Sequence, residues 1–138
     1  MKYTKTQKIY LADTDATGFA YYAKYLEWME AARIDLLEEI GFKFSDVLKS
    51  PVSAVIRSSS CDYKAPLRFG DTVEIATYIS KLGKTNAIIS YEFTNLTSGQ
   101  NAGNAEVSVV FIDKESLRPT KIPEEISKGF EKYLISQN

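Results

Sequence analysis

Residues 22–40 run YAKYLEWMEAARIDLLEEI, and the rest of the architecture can be built outward from them. Apolar side chains recur in this stretch at spacings of three and four residues, which predicts a helix with one apolar stripe. At about 1.5 Å per residue the helix would be roughly 28 Å long, and Gly41 is a residue type that commonly ends helices. The predicted stripe consists of Tyr22, Tyr25, Leu26, Met29, Ala32, Leu36 and Ile40.

After this helix the hydrophobic pattern changes to a period of two, which is typical of half-buried strands. Turn-forming residues separate the runs, so successive strands would be joined by short connections into an antiparallel meander. Residues 3–11 are a weaker strand candidate, and residues 123–135 are predicted to form a closing helix that starts at or near Pro123. The alternating runs cover residues 52–63, 73–79, 89–93 and 107–111.

One apolar helix stripe and one apolar sheet face predict an α+β fold, because each must be buried against the other. We expect a long helix cradled by a curved antiparallel sheet of about five strands. No repeat or linker interrupts the chain, so residues 1–138 are predicted to form a single domain. Long edge strands invite pairing with a second copy, so we expect a homodimer.

The composition excludes several classes of function. Seventeen Lys and Arg against eighteen Asp and Glu leave a net charge of −1, without the basic excess expected of a nucleic-acid-binding protein. No apolar run approaches the ~18 residues needed to span a membrane. A single cysteine and the absence of a signal-peptide pattern predict a cytoplasmic protein.

The chain contains no histidine, which excludes Ser-His-Asp and Cys-His catalytic pairs and removes the commonest catalytic zinc ligand. A carboxylate is therefore the leading candidate for hydrolytic chemistry. Asp13 and Asp15 lie in the sequence DTDATG just before the long helix. They are either ordinary turn and cap residues or carboxylates beside unpaired helix N–H groups that could hold an oxyanion. Two carboxylates and a threonine are too few for a divalent cation, so no metal is expected.

Other residues allow two interpretations each. Glu30 and Arg33 could form a helix salt bridge, or Glu30 could line a cavity next to the DTDATG loop, or Arg33 could contact a partner chain. Cys61 has no base to activate it and is predicted to be a packed thiol. Aromatic residues near the helix start could belong to the core or line a substrate pocket, and basic residues near strand ends could be solvated or bind phosphate. These are Phe19, Tyr21, Tyr22, Tyr25 and Trp28, and Lys64, Arg68, Lys81 and Lys84.

Four segments resemble the 4-hydroxybenzoyl-CoA thioesterase family of hotdog-fold acyl-CoA thioesterases. The most specific is YLADTDATGFAYYAKY at residues 10–25, where D-x-D-x-x-G is followed by tyrosine and a long helix. The helix continuation to Gly41 and the run YKAPLRFGD at residues 63–71 are also similar. The ending VVFID at residues 109–113, followed by Arg-Pro and Ile-Pro pairs, completes a resemblance over nearly the whole chain.

The resemblance implies a thioester hydrolase that acts on a small or medium acyl-CoA and needs no cofactor. It assigns the catalytic carboxylate to Asp15 and a carbonyl-polarising backbone N–H to Tyr22, with Gly18 or a neighbour contributing. Asp13 would have a supporting role near the substrate. The resemblance also implies active sites at a dimer interface, with two dimers often forming a tetramer.

The substrate-binding residues follow from the same resemblance. Phe19 and Tyr21 would contact the acyl group, while Lys64, Arg68 and Lys84 would contact the nucleotide of coenzyme A. Family members carry either histidine or tyrosine at the position of Tyr22, so the motif leaves the acyl group open. Asp15 could act as a nucleophile or as a general base. The alternatives are a non-catalytic acyl-CoA or acyl-carrier-protein binding module, a dehydratase or hydratase, and a structural dimerisation module.

Overall fold

The computed structural model describes residues 1–135, so the end of the predicted domain range, residues 136–138, lies outside it. The chain order begins with a strand and a 3₁₀ turn, continues through two helices and four strands, and ends with a helix. The elements are β1 (Tyr3–Lys8), the turn (Leu11–Asp13), α1 (Lys24–Glu39), α2 (Phe44–Lys49), β2 (Val52–Tyr63), β3 (Thr72–Leu82), β4 (Asn86–Asn95), β5 (Asn101–Asp113) and α3 (Glu124–Glu131).

The sheet has five antiparallel strands in the order β1-β3-β4-β5-β2, which confirms the predicted α+β class. Strands β3, β4 and β5 form the expected meander, but the prediction that β2 continues it was wrong, since β2 pairs with β5 at the opposite edge. Residues 64–71 connect β2 to β3 across the end of the sheet. Three strand spacings of about 4.8 Å make roughly 14 Å, a distance that eight residues cross easily.

Helix α1 lies on the inner face of this sheet. Its buried residues are Tyr25, Trp28, Met29, Ala32 and Leu36, and they pack on alternate residues of β3, β4 and β5. The apolar stripe predicted for this helix was wrong at two of its positions. Tyr22 and Leu26 are 60% and 46% exposed, because the helix begins at Lys24 and its buried face is centred on Trp28 and Met29 instead.

The short helices position the ends of α1. Helix α2 was not predicted, since six residues are too few to establish a helical period. Helix α3 starts after Pro123 as expected but ends at Glu131, and the following residues pair with β3 through the Ile79 N–H and the Tyr133 carbonyl at 2.9 Å. Gly129 allows α3 to approach α1 closely, because an added Cβ would lie 2.6 Å from the side chain of Ile40.

Candidate active site

The D-x-D-x-x-G segment folds into a tight hairpin ahead of α1. The Tyr21 N–H donates to the Asp13 carbonyl at 2.8 Å, and the Asp15 N–H donates to the Phe19 carbonyl at 3.0 Å. The chain reverses at Gly18, whose φ of +85° lies in the left-handed region that glycine adopts without a steric penalty. This hairpin, residues 13–21, therefore presents both carboxylates immediately before the helix.

Backbone bonds attach the hairpin to the crossover at residues 64–71. The Ala20 N–H donates to the Leu67 carbonyl at 2.7 Å, and Phe19 and Arg68 form an antiparallel bridge. The Arg68 guanidinium also lies 5.1 Å from the centre of the Phe19 ring, a cation–π arrangement. Asp71 holds the crossover itself, because its carboxylate accepts the Arg68 N–H at 2.9 Å. The crossover thus brings two predicted site residues, Phe19 and Arg68, together.

The Asp13 carboxylate is held by partners within the chain. Its Oδ2 accepts the Tyr10 N–H at 2.8 Å, which caps the 3₁₀ turn, and its Oδ1 lies 3.7 Å from the Lys24 Nζ. The side chain is 14% exposed. Both oxygens are engaged within the chain, which agrees with a supporting role.

Asp15 has a different environment. It is exposed, and its Oδ1 accepts the Thr17 N–H at 2.8 Å and the Thr17 hydroxyl proton. The pKa of the Asp15 carboxyl is lowered, first by the hydrogen bond from the Thr17 hydroxyl and then by the Thr17 N–H. No donor within residues 1–135 bonds to Oδ2. Asp15 is therefore an ionised carboxylate at neutral pH with one oxygen held and one available.

The start of α1 lacks a capping side chain. Ala23 is the N-cap, and the first bonds run from the Lys24 N–H to the Tyr21 carbonyl at 2.9 Å and from the Tyr25 N–H to the Tyr22 carbonyl at 3.2 Å. No acceptor in the part of the chain described here takes the Tyr22 N–H. Such a free N–H at a helix N-terminus can hold a carbonyl oxygen or an oxyanion.

The Gly18 N–H is not free to polarise a substrate carbonyl, contrary to what the resemblance implied. Its N–H donates to the Asp15 carbonyl at 3.0 Å, so in this conformation it closes the turn instead of offering a donor to a ligand. The glycine positions Asp15 through the turn.

An aromatic cluster surrounds the helix start. The Tyr63 hydroxyl donates to the Tyr22 carbonyl at 3.3 Å, and the Tyr63 ring packs edge-on against Tyr25 at 4.9 Å. Burial raises the pKa of Tyr63 to about 12, so this hydroxyl stays protonated at neutral pH. Tyr63 begins the YKAPLRFGD segment but was assigned no role there, because β2 joins the site only through the tertiary fold. Tyr21 is 43% exposed beside the Tyr22 ring, whereas Trp28 is a core residue.

The remaining predicted residues lie further from the hairpin. Lys64 pairs with Asp62 at 2.8 Å, and both are exposed. Lys84 lies beyond the far end of β3, an 11-residue strand that spans roughly 33 Å at about 3.3 Å per residue. A single chain therefore does not bring Lys84 to Asp15. Cys61 is half-buried, and burial raises the pKa of its thiol, as expected of a packed cysteine.

An apolar cavity of about 580 Å³ lies between α1, α2 and the start of β2. Glu30 and Arg33 line it, but no residue of the hairpin does, so it is not the cavity next to the loop that was considered for Glu30. Within residues 1–135 no group of three acidic or cysteine side chains is placed to hold a metal ion. In the same part of the chain no helix has the length and hydropathy to cross a membrane.

Comparisons with known proteins agree with this fold. Residues 9–130 match the thioesterase-like superfamily. The YneP protein of Bacillus subtilis (strain 168) is 33% identical over 115 residues, which are 83% of each chain. The acyl-CoA thioester hydrolase YbgC of Escherichia coli O6:H1 is 31% identical over 123 residues, covering 89% of this chain and 91% of that one.

A solved structure extends the similarity to three dimensions. The BH1999 gentisyl-coenzyme A thioesterase superposes with a TM-score of 0.83 at 27% identity, covering 93% of this chain and 99% of the other. The chain belongs to the thioesterase-like superfamily, whose relatives over most of its length are hotdog-fold acyl-CoA thioester hydrolases. The resemblance drawn from the D-x-D-x-x-G motif is therefore confirmed, and so are the hotdog fold and the hydrolase class.

Proposed function

We propose that this chain hydrolyses the thioester of a small or medium acyl-CoA to the free acid and CoA, with Asp15 as the catalytic carboxylate. The observation that carries the proposal is a free Asp15 oxygen in the hairpin together with a free backbone donor, the Tyr22 N–H, in the residue that directly follows the hairpin. Thioester hydrolysis needs these two groups, one to supply or activate the attacking oxygen and one to stabilise the oxyanion.

The thioester carbonyl oxygen would accept the Tyr22 N–H, where the helix N-terminus favours developing negative charge. By one route, Asp15 Oδ2 attacks the carbonyl carbon, the C–S bond breaks, CoA leaves as a thiolate, and water hydrolyses the resulting anhydride. By the other, Asp15 removes a proton from water as that water attacks, the C–S bond breaks, and the thiolate takes the proton. Both routes require an ionised Asp15, and its lowered pKa supports this state.

The substrate would lie over the exposed aromatic and basic side chains around the hairpin. Phe19 and Tyr21 offer apolar surface for the acyl group. Arg68, which lies over the Phe19 ring, is the best-placed cation for a CoA phosphate, and Lys64 is a second one along the same crossover. Asp13 would support the site by holding the base of the hairpin.

The working form is proposed to be a homodimer, or a tetramer made of two dimers. The 12-residue strand β2 bonds to β5 on one side only, which leaves a long edge that a second copy could extend. Val55 and Ile56 on this edge are 38% and 46% exposed. A partner is also the only way in which a Lys84 could contribute to the CoA site. We further propose that residues 1–138 form one domain and that the enzyme works in the cytoplasm.

The test is thiol release from a panel of short, long, branched and aromatic acyl-CoAs by the wild-type and Asp15→Asn proteins. The substitution should leave the fold intact and reduce kcat/KM by about 10²–10⁴-fold, the usual contribution of a positioned base. Asp46→Asn, which neutralises an exposed carboxylate on α2, is the matched control and should retain full activity. A folded, fully active Asp15→Asn protein would refute the assignment.

The same experiment addresses the principal alternative, a non-catalytic acyl-CoA or acyl-carrier-protein binding module. Binding of a non-hydrolysable acyl-CoA without turnover of any thioester in the panel would favour that module over the enzyme.

A further inference from the structure

Thr17 provides both hydrogen bonds that the Asp15 carboxylate accepts from other residues within residues 1–135. Its N–H donates to Asp15 Oδ1 at 2.8 Å, and its hydroxyl donates to the same oxygen. The Thr17 hydroxyl oxygen is itself held, because it accepts the Phe19 N–H at 3.3 Å. A chain of bonds therefore links the hairpin backbone to one oxygen of Asp15.

This arrangement solves a problem that the exposure of Asp15 creates. An exposed aspartate ordinarily samples several rotamers, and a reacting group that is misplaced by about 1 Å can lose about 10²-fold in rate. Two donors on the same oxygen restrict the side-chain torsions and leave the other oxygen, Oδ2, without a hydrogen bond from another residue in the described chain. The carboxylate is then oriented without being buried.

We propose that Thr17 is a positioning residue whose hydroxyl holds Asp15 Oδ1, so that Oδ2 is the oxygen directed at the thioester carbonyl. The proposal rests on the proposed catalytic role of Asp15. Thr17 was not among the site residues predicted from the sequence, since threonine is an ordinary turn residue and its bond to Asp15 forms only in the folded hairpin.

The other charged and titratable groups near the hairpin do not perform this task. The pKa of Tyr21 is raised first by its hydrogen bond with Tyr22 and last by the charge of Asp15, and Tyr21 forms no hydrogen bond with the carboxylate in the described chain. Asp13 and Lys24 face each other, and Arg68 lies over the Phe19 ring.

The same bonds have a consequence for the pH profile. The hydroxyl of Thr17 stabilises the ionised form of Asp15 and lowers its pKa, so activity should persist as the pH falls below the usual range of an aspartate. Removing only the hydroxyl raises the pKa of Asp15, and the acidic limb of the kcat/KM profile should move to higher pH.

The test compares Thr17→Val, which keeps the shape and loses the hydroxyl, with Thr17→Ser, which keeps the hydroxyl. Thr17→Val should lower kcat by about 10–100-fold, the effect of losing a hydrogen bond to a charged group, with little change in KM. Thr17→Ser should retain most of the activity and the wild-type acidic limb. Thr14→Val, which removes the hydroxyl bond to the Leu11 carbonyl in the same loop, is the control and should behave as the wild type.

Each of the other possible results would overturn either the role of Thr17 or the proposed function. Unchanged kcat and acidic limb in Thr17→Val, beside an inactive Asp15→Asn, would overturn the role of Thr17 and leave the proposed function standing. A loss of activity that Thr14→Val shares, or that Thr17→Ser fails to restore, would show a structural effect on the loop and would also overturn it. An active Asp15→Asn would instead remove the proposed function itself.

Discussion

Arg33 on α1 donates a hydrogen bond to the Tyr91 hydroxyl on β4 at 3.2 Å, and this phenol is its acceptor in place of a carboxylate. Arg33 is half-buried at the wall of the apolar cavity, and no acidic side chain within residues 1–135 forms an ion pair with it. The contact ties the middle of α1 to the centre of the sheet. The predicted salt bridge between Glu30 and Arg33 is not formed.

Replacing Tyr91 with phenylalanine should destabilise the protein by about 1–2 kcal/mol, because a half-buried guanidinium loses its acceptor. Urea unfolding of Tyr91→Phe, Arg33→Met and the double variant would measure the coupling between the two residues. In the Arg33→Met background the second substitution should cost much less. Equal costs in the two backgrounds would mean that the hydrogen bond contributes nothing.

The buried tyrosines predict a loss of stability at alkaline pH. Burial raises the pKa of both Tyr25 and Tyr91 to about 12, above the ordinary value of 10.0 for an unfolded chain. Their protonated forms therefore stabilise the fold fully below about pH 10, and this contribution is lost as the pH rises through about 12. Thermal unfolding at pH 8 to 12 should show the decline, and the part of the tyrosinate absorbance that comes from the buried tyrosines should appear only as the protein unfolds. The Tyr91→Phe protein should show a shallower decline, by on the order of 2 kcal/mol.

Thr77 offers an opportunity to stabilise the fold. This residue is fully buried on β3, and its Oγ1 has no hydrogen-bond partner in the described chain. Thr77→Val replaces the hydroxyl with a methyl group of similar size and should raise the free energy of unfolding by about 1 kcal/mol. The control is Thr77→Ser, which keeps the hydroxyl and removes the methyl group, and should destabilise by about 1 kcal/mol. A lower urea midpoint for the valine variant would contradict this explanation.

Two of the three predicted CoA contacts, Arg68 and Lys84, can be separated by kinetics. Arg68→Ala should raise the KM for acyl-CoA by about 2–5-fold, the effect expected of an exposed ion pair with a phosphate. It should leave the KM for the corresponding acyl-pantetheine unchanged, since that substrate lacks the nucleotide phosphates. Lys84→Ala should have no effect in a monomer, so a raised KM would locate this lysine at the site of a partner chain.

The free edge of β2 predicts the oligomeric state. A lysine on an edge strand opposes strand-to-strand pairing, so Ile56→Lys should shift the protein from dimer to monomer in light scattering coupled to size exclusion. Leu96→Lys is the control, because Leu96 is similarly exposed in the turn after β4. A dimer that survives Ile56→Lys would place the interface elsewhere.

Local patterns predicted the elements that are long and periodic. Spacings of three and four identified α1, and alternation identified β3 to β5, because each has one face on a common core. The position of β2 could not be predicted in this way, since the crossover at residues 64–71 carries no periodicity and its path depends on which strand edge is free. The helix α2 was too short to detect.

The candidate site also contains residues that a local sequence motif predicts and residues whose positions depend on the tertiary fold. Asp13, Asp15 and Gly18 share a motif within six residues, so a resemblance could find them. Tyr63 reaches the helix start only because β2 runs along the sheet edge, and Lys84 is remote because β3 separates the two ends of the sheet. Neither position can be predicted from spacing along the chain.

The bond between the Ala20 N–H and the Leu67 carbonyl also has a kinetic consequence. The hairpin that holds Asp15 is completed by a segment synthesised almost fifty residues later, so a growing or refolding chain that has formed only α1 lacks the finished site. Contacts between segments so far apart in sequence form late in folding, because the entropy of closing the loop must be overcome before they stabilise the chain. We therefore expect thioesterase activity to return in refolding only after the helical circular dichroism signal, so that an immature chain is inert toward the cell's acyl-CoA pool.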